Sequence, residues 1–541
     1  MGLLGLISEA AEQAAEKDFV TQLTEVNNAI NNFAWEKLGL VLLIGAGIIL
    51  TICTKFFQVS HIKEWWMRTI GGMFKRKSKV RKNKEHGSVS QFQALCTALA
   101  ATIGTGNIAG VASAICIGGP GAVFWMWIAA FFGMMTNFSE NILGIYYRRK
   151  NKEGEWSGGP MYYLRDGLGG YKHCKWVGRI LAGLFAVFAV LASFGIGNMG
   201  QINKIVINLD NAFLSNVDLG YAFGDVKWTS IIIGGVLMVL GGLIILGGLK
   251  RIASFAEKVV PFMAVAYIIG CIVVICVHIT VIGDMFAAIF KFAFTVPAVI
   301  GGGAGIAIKT MVQGFKRGVF SNEAGLGSSV MVHSASNVRE PVKQGMWGIF
   351  EVFADTFVVC TMTALVVLSS GKIDLATGAV NVAEGGDATL VADAFGNVFG
   401  PGGSIFVSVA ILLFAFTTVV GWSHYGSKAF EYLFGVKAAK FYKAFFVVMI
   451  ISGAMMTSSL AWDISDTFNA LMMIPNLIGV LSMLPVVIKL TKNYVDRRIK
   501  HKDVAPMLSY DAAIEAEHAK DVEEEMREEA EEAKAKVKVK Q

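Results

Sequence analysis

Residues 94–117 read ALCTALAATIGTGNIAGVASAICI. The run carries no charge and is long enough to cross a bilayer, which takes about 20 apolar residues. Its middle, however, is Gly104-Thr105-Gly106-Asn107. Glycine inside a helix costs about 1 kcal/mol relative to alanine. A membrane helix keeps such a cluster only where unwound backbone is buried in protein or lines a cavity. A second uncharged run, FAFTVPAVIGGGAGIAI at 292–308, is interrupted by Gly301–Gly305. Two interrupted helices in corresponding places point to the binding site of a secondary transporter.

The surrounding chain supports a membrane setting. Of 541 residues, 54% are hydrophobic and only 16% charged, and the mean hydropathy is +0.55. Soluble domains carry roughly 25% charged residues, so the chain reads as an all-α polytopic membrane protein. The formal charge of +7 is no nucleic-acid signal, because the basic residues sit between apolar spans where they set topology. Cys53, Cys96, Cys116, Cys271, Cys276 and Cys360 fall in or beside apolar spans, and Cys174 lies in a basic loop. With no CxxC pair, free thiols are expected and no disulfide framework. Residues 1–36 lack a basic stretch followed by an apolar core, so no secretory signal is expected. They read as an acidic, weakly amphipathic lead-in.

The pattern predicts eleven spans, near 37–55, 90–117, 121–147, 176–208, 228–248, 259–282, 286–314, 344–370, 402–427, 440–460 and 465–490. Basic residues gather in loops 56–89 and 148–175, at Lys250 and Arg251, at Lys316 and Arg317, and at Lys428, Lys437 and Lys440. The alternate loops are acidic, with Asp210, Asp218 and Asp225, then Asp374, Glu384, Asp387 and Asp393, then Asp463 and Asp466. The positive-inside rule then places the N-terminus outside and the C-terminus in the cytoplasm. Spans two to six and seven to eleven form two groups of five, each opening on a glycine-broken span. An odd number inverts the second group, which is the signature of an inverted repeat. The expected divisions are a lead-in at 1–36 and an extra helix with its basic loop at 37–89. Two five-helix repeats follow at 90–282 and 283–491, and a charged cytoplasmic tail at 492–541. That tail reads as an exposed charged helix or a disordered segment.

Broken helices offer N–H donors and a positive dipole end to a carboxylate, and free carbonyls to a small cation such as Na⁺. Thr418 and Trp422 share a helix face at i,i+4. Spacing leaves two readings open for Thr417 and Thr418: ion ligands, or hydroxyls bonded to their own helix. It likewise leaves Trp422 as a pocket wall or an interface anchor. Gln201 is a candidate site residue or interhelical glue. Asp355 is an intramembrane carboxylate and so a functional candidate, whereas Glu351 is expected to pair with Lys343 or Arg317. His278, His333 and His424 have no metal-site spacing and read as interface or loop residues. The glycine-rich segment 314–329 suggests a turn and helix cap, with a gate or hinge role open. No ring of intramembrane acids is evident, nor a nucleophile–base pair or metal motif. A channel and an intramembrane enzyme are therefore disfavoured.

The segment Gly118–Ile128, GGPGAVFWMWI, continued by Phe131-Phe132-Gly133, resembles the signature of the alanine/glycine:cation symporter family, the sodium:alanine symporters. Gly104–Gly110 and Arg317–Gly327 resemble two further motifs of that family, and the likeness spans roughly residues 37–495. The resemblance implies a LeuT-type five-plus-five inverted repeat with one extra N-terminal helix, in the plasma (inner) membrane. It implies Na⁺-driven uptake of a small neutral amino acid, in some members driven by H⁺; a proton-coupled carrier is the rival reading, with Asp355 as its titrating group. Carried across, the family site places Thr105, Gly106, Gln201, Thr418 and Trp422 around the substrate. It gives the ion the carbonyls of Ala100 and Ile103 and the hydroxyls of Thr417 and Thr418. No further cofactor is expected. The family pattern often has Phe between the glycines of the span-seven break, where this chain has Gly303. A pocket that admits a side chain as large as glutamine's is expected there.

Overall fold

The computed structural model describes residues 19–74, 80–81, 85, 87–215, 217–294, 303–382, 387–456 and 460–540. Among them, eight helices are long and apolar enough to cross a membrane, from Thr21–Cys53 to Asp463–Ser482. Among the described residues the β-strands form two short hairpins, at 149–157 and 221–227, beside two isolated bridges. The expected lead-in is not a separate unit over its described part. Residues from Phe19 onward are helical and run without a break into the first span. Residues 1–18 lie outside the described residues.

The helices that build the site are Gln91–Thr102 (α1), Ala109–Gly118 (α2), Ala122–Tyr146 (α3), Gly303–Asn322 (α4), Pro341–Val352 (α5) and Pro401–Phe434 (α6). The C-terminal helix is Ala512–Lys540 (α7). A capping box starts α1: Gln93 N–H donates to Ser90 Oγ and Ser90 N–H to Gln93 Oε1, both at 3.1 Å. It satisfies two donors that a helix start leaves free. The helix then stops at Thr102, turns through extended Gly104 and one 3-10 turn at Thr105–Asn107, and resumes as α2. The first interruption therefore falls where the glycines place it.

The second expected interruption, at Gly301–Gly305, falls partly outside the described residues, which stop at Phe294 and resume at Gly303. Gly303 opens α4, which runs unbroken for 20 residues to Asn322. The second interruption among the described residues follows α4, at 323–329, where Glu323, Gly325 and Gly327 have φ of 55°, 92° and 74°. Three left-handed residues in a row of five cannot continue a right-handed helix. The cluster Gly303–Gly305 begins a helix rather than breaking one. The expected span at 286–314 is replaced by a separate helix Ile282–Phe294 and by α4.

This shift corrects the placement of Lys316 and Arg317 in a cytoplasmic loop. Both lie within α4. Lys316 sits 3.4 Å from Asp466, and Arg317 faces the cavity lined by Asp210 and Asp225. They therefore belong to the acidic end of the molecule. Among the wide π turns carried by the helices are those at Gly195–Met199 and Phe353–Cys360. Such turns inside helices mark functional places, and both turns bear on the site.

Candidate functional site

α6 lies against the first interruption because neither side has bulk to keep it away. A Cβ on Gly104 would stand 2.6 Å from Thr418 Oγ1, and one on Gly421 would stand 2.8 Å from the Ala101 Cβ. From a third direction the π turn Gly195–Met199 approaches: a Cβ on Gly197 would meet the Trp422 Cβ and Cγ at 2.6 Å. The second interruption closes the ring, and Trp422 Nε1 donates to Glu323 Oε1 at 2.9 Å. The result is a small cavity lined by Gly104, Gly106, Gln201, Phe320, Glu323, Thr418 and Trp422, with Ile196 and Asn469 beside them.

Of the residues singled out from the sequence, Gly106, Gln201, Thr418 and Trp422 line this one cavity. Thr105 joins it by donating to Gln201 Oε1 at 3.0 Å, while Gln201 Nε2 donates to the Ile196 carbonyl at 3.1 Å. The amide of Gln201 is thereby fixed in orientation. Trp422 is buried in the cavity wall and is not an interface anchor. Thr417 and Thr418 both bond back to the Phe414 carbonyl, at 2.9 and 3.0 Å. Thr418 Oγ1 also lies 3.2 Å from the Ala100 carbonyl of α1. Three oxygens thus converge from two helices, a set that suits a hard cation. Ile103, with ψ of 89°, carries its carbonyl out of the helical ladder. Thr417 also turns toward Met263 Sδ, 3.7 Å away, on the other side of α6. Gly303 is not brought to the cavity. It stands at the far end of α4 from Asn322, about 28 Å away at 1.5 Å per residue. The wider pocket expected from Gly303 is therefore not a property of this cavity, whose walls are Phe320, Ile196 and Trp422.

The Gly104 N–H is also not free, since Asn107 Oδ1 accepts it at 2.9 Å. The available donors are the N–H groups of Thr105 and Gly106, the first two positions of the 3-10 turn, which lack intrahelical partners. Opposite them sits the Glu323 carboxylate, which accepts from Trp422 and from the Ser328 hydroxyl.

Four carboxylates are buried around the second interruption: Glu140, Glu323, Glu351 and Asp355. This corrects the impression that the spans hold no cluster of acids. Asp355, on the π turn Phe353–Cys360, joins both interruptions. Its Oδ1 accepts from Asn107 Nδ2 at 2.6 Å, and its Oδ2 from the Ser321 and Thr356 hydroxyls at 2.8 and 2.9 Å. Glu140 accepts from the Gly325 N–H at 3.4 Å and from Asn476. Glu351 pairs with buried His333 at 2.9 Å and Asn137 at 3.3 Å, not with Lys343 or Arg317. His333 is accordingly a core residue rather than a loop residue. Among the described residues none of the four has a Lys or Arg partner. A buried carboxylate without a cation needs a proton or a bound ion.

Above the cavity opens a vestibule of about 610 Å³, lined by Thr105, Gly106, Asp210, Asp225, Arg317 and Phe320 among others. Gly106 and Phe320 border both spaces and form the wall between them. The opposite end is closed. There Val89 N–H donates to the Ala335 carbonyl at 3.0 Å, and Arg148 to the carbonyls of Ser334, Ser336 and Val338.

Two interrupted helices around a small polar cavity, with an open vestibule on one side and a closed end on the other, fit a secondary transporter. Comparison with known proteins specifies which kind. The sequence profile described as "Sodium:alanine symporter family" matches residues 20–507. The sodium/alanine symporter AgcS of Methanococcus maripaludis is 41% identical over 89% of this chain and 98% of its own. The probable sodium/glutamine symporter GlnT of Bacillus subtilis is 37% identical over 89% of this chain and 92% of its own. The putative sodium/proton-dependent alanine carrier protein YrbD, also of Bacillus subtilis, is 35% identical over 86% and 91%. The chain belongs to the sodium:alanine symporter family. It is a multi-pass membrane transporter and not an enzyme, and the family implies Na⁺ as its coupling ion.

Proposed function

We propose that the protein carries a small neutral amino acid into the cell together with Na⁺. Alanine and glycine are the central substrates, and glutamine is a larger member of the same class. The observation that carries this reading is the convergence of Thr105, Gly106, Gln201, Glu323, Thr418 and Trp422 on one cavity between two interrupted helices. The substrate carboxylate meets the N–H groups of Thr105 and Gly106, and its ammonium meets Glu323. The side chain lies against Trp422 and Phe320. Na⁺ takes the oxygens of Ala100, Phe414 and Thr418, with the Ile103 carbonyl and Thr417 as further ligands, and so ties α1 to α6. Closure at Phe320 and opening at the far end move both solutes across.

The two interrupted helices and Val436–Ala454, added to the eight long apolar helices, support eleven crossings. In this reading 37–89 holds the extra helix, and 90–282 and 283–491 are inverted halves, the second broken at 323–329. The basic end, with Arg148, Arg149, Arg497 and Arg498, faces the cytoplasm of the plasma membrane. The N-terminus is outside and the tail at 492–541 inside.

The assignment of Thr418 is tested by binding. Thr418→Ala removes one ion ligand and is expected to raise the Na⁺ concentration for half-maximal alanine binding about tenfold, equivalent to about 1.4 kcal/mol. Equilibrium binding of radiolabelled alanine over a Na⁺ series measures it. An unchanged Na⁺ dependence rules the assignment out. Proton coupling is the second reading, favoured by one observation: Asp355 and Glu323 are buried and have no Lys or Arg partner among the described residues.

A further inference from the structure

The family profile ends at residue 507, yet the chain beyond it is docked. The tail is neither a free helix nor a disordered segment over its described part. Asp511 caps α7 by accepting the N–H groups of Ala513 and Ile514 at 2.9 and 3.2 Å. Residues 515, 518, 522 and 525 then share one face. On that face Glu515 accepts the Leu508 N–H at 2.8 Å. His518 and Val522 are each 1% exposed, and the His518 ring packs on Trp156 with centroids 5.9 Å apart. Burial, with Arg148 and Arg339 nearby, pushes the His518 pKa well down, so the ring docks neutral. Arg339 Nε donates to Asp521 at 2.8 Å, and Glu525 lies 2.5 Å from Lys343 and 3.5 Å from Arg498. Beneath these pairs Glu340 is buried among Lys343, Arg497 and Arg498. Burial alone would raise its carboxyl; Lys343, Arg498 and Arg497 outweigh that and hold it well below the usual range.

The docking place bears on transport. Arg339, Glu340 and Lys343 follow the second interruption after the short helix Val330–His333. The stretch they continue is bonded to the start of α1 through Val89, which accepts the Asn337 N–H at 2.8 Å and donates to Ala335. The basic ends of both interrupted helices thus form one cover over the closed end, and α7 lies across it from Trp156 to Arg498. A solute leaving by that end needs the cover to part.

We propose that α7 is a latch. Its acidic face holds the closed end shut, so release of α7 sets how readily that end opens. Asp521 is nearly half exposed and Glu525 a quarter exposed. The more exposed Arg339–Asp521 pair is weak and salt-screened, and the more buried Lys343–Glu525 pair is screened less, so the latch loosens as ionic strength rises at that face. The latch itself rests on the docking geometry; only its effect on rate rests on the transport reading.

The test uses the full chain in proteoliposomes, with the double variant Asp521→Asn, Glu525→Gln and, from the other partner, Arg339→Gln. Hydrogen exchange of amides 335–343 reads the cover directly, and alanine counterflow reads transport. Both variants are expected to exchange these amides at least about fivefold faster and to raise counterflow about two- to fivefold. Wild type should approach them as salt at that face rises from about 50 to about 500 mM. Unchanged amide exchange in monodisperse double variant, or slower counterflow, overturns the latch. Faster amide exchange with no alanine counterflow by any form, wild type included, overturns the transport reading instead.

Discussion

Replacing Asp355 with alanine is expected to abolish coupled uptake, to below about 1% of wild type. The carboxylate is the joint between the two interruptions, taking Asn107 from one and Ser321 from the other. Its removal strands three buried donors, each costing about 1–3 kcal/mol when left unsatisfied. Asparagine at this position separates geometry from charge, since its amide keeps the shape and one acceptor. If the carboxylate neutralises a bound cation or carries a proton, Asp355→Asn also loses uptake while remaining monodisperse and thermally stable. Uptake per folded protein, measured beside thermal unfolding, distinguishes the two. Uptake near wild type in the asparagine variant would show that the charge has no part in coupling.

The second large effect is expected from a single methyl group. Gly197→Ala places a Cβ about where the Trp422 Cβ and Cγ now lie, 2.6 Å from each. Overpacking of this kind costs typically 1–3 kcal/mol and moves whichever neighbour yields. Trp422 stands between Gly197 and Glu323, so it is displaced into the cavity it walls. Uptake kcat/KM should fall at least about thirtyfold, corresponding to about 2 kcal/mol. Trp422→Phe serves as the control, because it removes only the hydrogen bond to Glu323 and should cost less. Equal or better uptake in Gly197→Ala would mean that the π turn and α6 are not packed this closely.

The first interruption is legible in the sequence because it is built by the residues that announce it. Gly104 and Gly106 admit Thr418 and Phe320 at close range, and Asn107 caps the turn from within. The second is less legible, for a physical reason. Gly303 starts a helix, and Gly301 and Gly302 lie outside the described residues. The break after α4 is made by Glu323 as much as by Gly325 and Gly327, and nothing local shows that a glutamate will take a left-handed φ. Its sequence mark, the glycine-rich segment 314–329, does read as a turn and helix cap, but not as the second interruption. Lys316 and Arg317 carry a loop signal, yet they lie within α4 and face Asp466 and the vestibule. Glu140 is a lone acid inside an apolar helix in the sequence; its partners Asn476 and Gly325 are remote in sequence. The docked tail was equally hidden, because its charges pair with Arg339, Lys343 and Arg498 across the fold.

Sodium-coupled uptake is tested most directly by imposing one gradient at a time on purified protein in vesicles. An inward Na⁺ gradient at equal pH should accumulate labelled alanine above its external concentration, and a valinomycin-set negative interior should increase it, since one charge is worth about 2.3 kcal/mol per 100 mV. A pH gradient with K⁺ in place of Na⁺ should give none. Accumulation driven by the pH gradient alone, with no response to Na⁺, would contradict the account and transfer the coupling role to a proton on Asp355 or Glu323.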